Sequence, residues 1–208
     1  MIAIVDYDAG NIMSVQKACA YLGYQYVLTR DRKQILEADH VILPGVGAFA
    51  DAMEKLHSYE LTDTLSEAGR RGIPLLGICL GLQLLFQGSD ESLDMGEKKD
   101  VPGLGLLEGR IHRFDDLEGT LKVPHMGWNN LSFPRPGRLF EGIPEDVYVY
   151  FVHSYYLKAA SPEIVTATSE YGTRFDASIE QDNIFACQFH PEKSGRWGLK
   201  ILENFLNV

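Results

Sequence analysis

In the first half of the chain, short unbroken apolar runs alternate with stretches of helical apolar spacing. Ile2–Val5 is a β-rich run that ends in Asp6-Tyr-Asp-Ala-Gly-Asn11, a turn with Asn11 placed as a helix N-cap. Ile12, Val15, Cys19 and Leu22 then fall on one helical face, and Gly23 closes the helix. Residues 24–29 read as the next strand. His40–Leu43 reads as a third, stopped by Pro44-Gly-Val-Gly47. One long helical region is predicted over residues 48–71, with its charges on one side. The apolar run Ile73-Pro-Leu-Leu76 follows as a strand feeding another helical pattern over 82–86. Such an alternation predicts a parallel sheet with helices on both faces.

The second half is patterned differently. Residues 147–157, 164–169 and 177–189 are strand-like, and Gln181-Asp-Asn183 reads as a hairpin turn within the last. They predict an antiparallel extension of the sheet. Apolar positions over 197–206 have helical spacing. The polar segment 87–100 reads as a mobile surface loop. No repeat, low-complexity tract or linker interrupts the pattern, so residues 1–208 are expected to form one domain.

Composition narrows the picture. The chain has 208 residues, 45% of them hydrophobic, which is ample for a packed core. A net charge of −10 and the absence of a basic block argue against nucleic acid or an anionic membrane as partner. Cys19, Cys79 and Cys187 are few and widely spaced, as in a reducing compartment. There is no signal-peptide pattern at the start and no apolar stretch near the ~20 residues of a membrane helix. The expected location is cytoplasmic. No HExxH or CxxC spacing occurs, so neither a metal nor another cofactor is expected.

The chemistry centres on Gly77-Ile-Cys-Leu-Gly81. A strand entering a helix through G-x-C-x-G is a nucleophile elbow with sulfur in place of the serine oxygen. The turn leaves no room for side chains beside the nucleophile, and the nucleophile is held strained. At a helix N-terminus, Cys79 is favoured as thiolate by the dipole and free N–H groups. A buried structural cysteine in a glycine-rich turn fits the same five residues. Downstream, His190-Pro-Glu192 follows an apolar strand. In extended chain, positions i and i+2 point the same way, so imidazole and carboxylate would lie together at the strand end. Cys79, His190 and Glu192 are then a candidate triad at the edge of an open α/β sheet where sites form, though His-Pro-Glu alone also suits an ordinary strand-end turn. The backbone N–H of Leu80 is one oxyanion donor by elbow geometry. Pro44-Gly45-Val46-Gly47 can supply a second, since its glycines permit a peptide flip, or can simply end a strand.

With these motifs in hand, the chain resembles the class I (triad) glutamine amidotransferases. Within that class it is similar to the glutaminase subunits of imidazole glycerol phosphate synthases. The triad motifs carry the first likeness. Pro44-Gly-Val-Gly47, Pro124-His-Met-Gly-Trp-Asn129, Tyr150-Phe-Val-His-Ser-Tyr155 and Glu192-Lys-Ser194 carry the second. The resemblance implies a flavodoxin-like fold with a central mixed, mostly parallel sheet flanked by helices and antiparallel strands in the C-terminal half. It implies that Cys79 attacks the side-chain amide of L-glutamine, that His190 moves the proton and that Glu192 orients His190. Gln83, Ser154, Tyr155 and the Gly47 backbone would hold the substrate, with Gly45, Val46 and Leu80 around the oxyanion. Ammonia would pass through a channel to a separate cyclase subunit with a (β/α)₈ barrel, which makes imidazole glycerol phosphate and aminoimidazole carboxamide ribonucleotide. Asn11, Met126, Trp128 and Lys193 would face that partner. From the residues alone, His125, Met126 and Trp128 also suit a buried turn, and Lys193 a solvated lysine. Asp8 and Gly195 depart from the family's common Gly and Gln. Two other readings stand beside this one: a glutaminase subunit for anthranilate or pyridoxal phosphate synthesis, and a non-catalytic thiol sensor on the same fold.

Overall fold

A computed structural model describes residues 1–91, 101–114 and 121–208. The N-terminal part runs β1 (Ile2–Val5), α1 (Ile12–Tyr21), β2 (Tyr26–Thr29), α2 (Arg32–Leu36), β3 (His40–Leu43), α3 (Phe49–Ser58), α4 (Leu61–Arg70), β4 (Leu75–Ile78) and α5 (Leu80–Leu84). Beyond it lie β5 (Gly88–Ser89), β6 (Val101–Pro102), β7 (Gly109–Arg113), β8 (His125–Asn130), β9 (Tyr148–His153), β10 (Tyr155–Ala159), β11 (Val165–Tyr171), β12 (Thr173–Gln181), β13 (Ile184–Cys187) and α6 (Gly195–Leu206).

The main sheet has the order β2-β1-β3-β4-β13-β12-β10-β7-β5-β6, with β11 paired to β12. Strands β2, β1, β3, β4 and β13 are parallel neighbours, while β13, β12, β10 and β7 pair antiparallel. The expected mixed sheet is therefore present. Strands β1, β3 and β4 are buried on both faces, as their unbroken apolar runs require. Their alternate residues feed two layers. Ala3, Val5, Val41, Leu43 and Leu75 pack with α3, α4 and α5, whereas Ile2, Ile4, Ile42, Leu76 and Ile78 pack with α1, α6 and β9.

Several elements differ from the sequence reading. The helix expected over 48–71 is two helices, broken at Tyr59-Glu60, where Glu60 takes φ 55°. Helix α2 and strands β7 and β8 lack the pattern that would reveal them: α2 is one turn, capped by Asp31 accepting from Gln34 N–H at 2.9 Å, and β7 and β8 alternate strongly polar residues with few apolar ones. The run 147–157 breaks at Ser154. Its first half, β9, pairs with β8 in a separate two-stranded sheet, and its second, β10, joins the main sheet. The hairpin turn after Gln181 is present, with Asp182 at φ 53°. Of the expected 87–100 loop, Gly88–Ser89 instead forms a strand, and residues 92–100 lie outside the described residues.

Order 2-1-3 reverses direction at β1, so the loops after β1 and β3 flank a crevice at the carboxyl edge. Residues 6–11 and 44–48 are those loops, and Cys79 emerges beside them from β4.

Candidate active site

Cys79 sits between β4 and α5 at φ 55°, ψ −107°, a conformation costly for a residue with a Cβ. Its N–H donates to Cys187 O at 2.8 Å, which ties the elbow to β13. The two flanking glycines are required by close approach. A Cβ on Gly77 would lie 2.7 Å from Gly81 O, and one on Gly81 would lie 1.9 Å from Leu43 O. Cys79 is 5% exposed, and its Sγ lies 3.8 Å from Val152 O and 3.7 Å from Gln188 Nε2. Helix α5 has only five residues, so the macrodipole expected to favour thiolate is short.

His190 is placed by the continuation of β13, its N–H bonded to Tyr150 O at 2.9 Å. Ser194 braces it: Ser194 Oγ donates to His190 O at 2.6 Å and accepts from Tyr150 N–H at 2.9 Å. His190 Nδ1 meets Glu192 Oε1 at 2.8 Å, with both side chains essentially buried. Donation from Nδ1 leaves Nε2 for the sulfur side. The pair forms through a 3-10 turn over Pro191–Lys193, and not through the extended i, i+2 arrangement the sequence suggests. Burial works to lower the imidazole pKa, but the neighbouring Cys79 and Glu192 outweigh it and lift His190 to about 9.

Asn11 stands at the N-cap position of α1 but does not cap. Its φ is 67° and its side chain makes no cap bond. Instead Asn11 Nδ2 donates to Glu192 Oε1 at 2.7 Å and lies 3.5 Å from His190 Nδ1. The capping account of Asn11 is therefore corrected: the side chain reaches across the crevice to the His–Glu pair.

The loop after β3 meets the backbone donor expected for an oxyanion. Leu80 N–H donates to Gly45 O at 3.3 Å, so a backbone carbonyl occupies the expected donor. Gly45 is hemmed in: an added Cβ would meet Tyr7 Oη at 2.3 Å and Leu80 Cβ at 3.0 Å. Buried Tyr7 donates from Oη to Pro44 O at 2.7 Å and holds the strand end. Gly47 takes φ 113° with open space around it.

A cavity of about 360 Å³ opens beside the thiol, lined by Val46, Gly47, Cys79, Leu80, Gln83, Glu91, Ser154 and Tyr155, among others. It brings together Val46, Gly47, Leu80, Gln83, Ser154 and Tyr155, all expected from the sequence at a substrate site; Gly45 is not in its lining. Sequence reasoning missed two residues here. Glu91 lines the cavity and accepts from Phe49 N–H at 2.7 Å; one of several acids in a polar stretch gives no signal. Gln188 is fully buried beside the sulfur, and its signal was its period-two place with His190 on an apolar strand end.

The residues expected to face a partner lie on strand, turn and loop. Met126 and Trp128 are 63% and 55% exposed on β8, and Lys193 is exposed beyond Glu192. His125 on the same strand is buried, stacked on Phe151 and Tyr171, and 3.0 Å from His153. Burial lowers His125 to about 4 and His153 to about 3, so both are neutral packing groups. The two departures from the family pattern share a backbone trait. Asp8 has φ 59°, tolerable for Asp, and bonds Arg30 and Tyr59; these bonds, Tyr59 first, hold its carboxyl below the usual range. Gly195 has φ 61° at the start of α6.

Comparisons agree on one family. The family described as glutamine amidotransferase class-I matches residues 3–208. The imidazole glycerol phosphate synthase subunit HisH of Moorella thermoacetica is 54% identical over 204 residues, 98% of this chain and 93% of that protein. HisH of Bacillus cereus is 49% identical over 208 residues, 100% of this chain and 95% of that protein. Among solved structures, a glutamine amidotransferase superposes with TM-score 0.73 at 19% identity, over 100% of this chain and 98% of the other. The PurLQS structure from Thermotoga maritima gives 0.71 at 18%, over 99% and 97%. These structures share the fold. On the match across almost its whole length, the chain belongs to the class-I glutamine amidotransferase family, in the branch of the HisH subunits.

Proposed function

We propose that this chain is the glutaminase subunit of an imidazole glycerol phosphate synthase, a single glutaminase domain acting in histidine biosynthesis in the cytoplasm. The observation that carries the chemistry is the buried His190–Glu192 pair at the end of β13, beside the strained Cys79. With His190 lifted to about 9, the imidazole holds a proton at neutral pH. Cys79 attacks the side-chain amide carbon of L-glutamine. His190 passes its proton to the departing nitrogen, ammonia leaves, and a glutamyl thioester remains. Water then gives its proton to His190 and its oxygen to the acyl carbon, which releases glutamate. Glu192 keeps the imidazole oriented. Gln83, Ser154 and Tyr155 line the pocket for the amino-acid head group, and the Glu91 carboxylate suits an α-ammonium.

The oxyanion donors are incomplete while Gly45 O occupies Leu80 N–H. Turning the Gly45-Val46 peptide over would free that N–H and bring the Val46 N–H alongside it. A partner docking on the face that includes Asn11, Met126, Trp128 and Lys193 is the trigger in this reading. That partner is a (β/α)₈-barrel cyclase subunit that receives the ammonia. The test is Cys79→Ala, which should abolish glutamate release and leave the fold intact. A glutamine-analogue electrophile should label Cys79 and spare Cys19 and Cys187, which are buried and do not line the cavity. Labelling spread over all three would overturn the assignment and favour a thiol-sensor role.

A further inference from the structure

Three amides and a sulfur form a chain of bonds whose direction is forced. Tyr155 O is a carbonyl and can only accept, so the Gln83 group 3.1 Å from it is the NH₂. The same Gln83 Nε2 lies 3.1 Å from the Gln188 side chain, which must therefore present its oxygen. The remaining end of Gln188 is then its NH₂, and it lies 3.7 Å from Cys79 Sγ. Gln188 is fully buried, and its backbone is fixed by its N–H bond to Ala177 O at 2.9 Å.

We infer that Gln188 holds the thiolate of Cys79 by donating an N–H to Sγ, with its direction set by Gln83 and Tyr155. The inference rests on Cys79 being the nucleophile. It answers a deficit in the elbow: α5 is little more than one turn, and the Leu80 N–H is taken up by Gly45 O. Among the described residues, the titratable groups around Cys79 are His190 and Cys187 along β13 and its continuation, Tyr7 after β1, Glu91 at the cavity wall and His153 on β9. Gln188 differs from all of them in giving a neutral donor that no change of pH removes. The same chain turns both Gln83 N–H groups toward acceptors, so the carbonyl oxygen is what Gln83 can offer the cavity.

The experiment is the pH dependence of iodoacetamide alkylation at Cys79, read by mass spectrometry, in wild type, Gln188→Met and Gln188→Glu. Met fills nearly the same space without a donor. Glu keeps an acceptor for Gln83 but faces the sulfur with an oxygen. Both should move the alkylation midpoint upward by about one pH unit or more, roughly a tenfold loss of reactive sulfur at neutral pH. Should Gln188→Met fail to fold, the near-isosteric Gln188→Glu carries the test. Alkylation at Cys79 with an unmoved midpoint in the folded variants would overturn this inference and leave the nucleophile standing. No alkylation of wild-type Cys79 at any pH would overturn both.

Discussion

At the scale of single residues, the site is a set of bonds that each leave the next group one free end. Glu192 Oε1 receives both His190 Nδ1 and Asn11 Nδ2, so Asn11 acts as a positioning residue for the carboxylate. Asn11→Gly is the clean test, because glycine tolerates the φ of 67° that alanine would strain against. A hydrogen bond to a charged group contributes about 1.5–3 kcal/mol, so glutamate release should fall roughly tenfold or more and the melting temperature should drop by several degrees, at about 2–4 °C per kcal/mol. Stability should also depend on pH through His190. Its folded pKa of about 9 lies above the ordinary histidine value of 6.5. A raised basic group stabilises the fold fully below its unfolded pKa and loses that contribution as pH rises through the folded value. Urea midpoints should therefore decline between pH 6.5 and about 9, and His190→Ala should flatten that decline.

At the scale of elements, the elbow is a crossing of β4, α5 and the end of β3. Gly81→Ala would drive a methyl to 1.9 Å from Leu43 O, a backbone atom that cannot swing aside. Overpacking typically costs about 1–3 kcal/mol, and this contact belongs at or beyond the upper end. The expected result is a marked loss in the urea unfolding midpoint, with activity lost alongside it. An unchanged midpoint would mean that β3 and α5 can separate. The loop after β3 is held differently. Tyr7 pins Pro44, whereas a Cβ at Gly47 would meet nothing within 4 Å, so packing at Gly47 does not oppose the peptide turnover that the proposed mechanism invokes between them.

At the scale of the whole molecule, the proposed mechanism joins two observations: Leu80 N–H is taken up by Gly45 O beside Cys79, and Met126 and Trp128 are exposed on β8. One missing oxyanion donor costs about 10²–10³ in rate. The chain alone should thus release glutamate slowly, and titration with a barrel cyclase and its ligand should raise the rate by about that factor. Trp128→Ala should weaken the titration midpoint, since large aromatic side chains carry much of an interface's binding energy. Lys193→Ala should chiefly slow association and reduce its salt dependence, as rim charges do. A chain fully active alone would contradict the gated mechanism.

Local pattern was enough for the strands that carry the site. β1, β3 and β4 are unbroken apolar runs because both their faces are buried, and G-x-C-x-G announces a turn that only glycine can flank. His190 and Glu192 could be paired from their spacing, although the 3-10 turn that joins them could not. What tertiary structure decided is every contact between residues distant in sequence. Asn11 looks like a cap, yet its amide lies 2.7 Å from a carboxylate 181 positions away. Ser154 breaks one apparent strand into two because its halves serve different sheets, and that break puts Ser154 and Tyr155 in the cavity wall. Gln188 reads as one polar residue on an apolar strand. Its meaning depends on the elbow, α5 and β10 converging on it, and local periodicity carries no information about which elements converge.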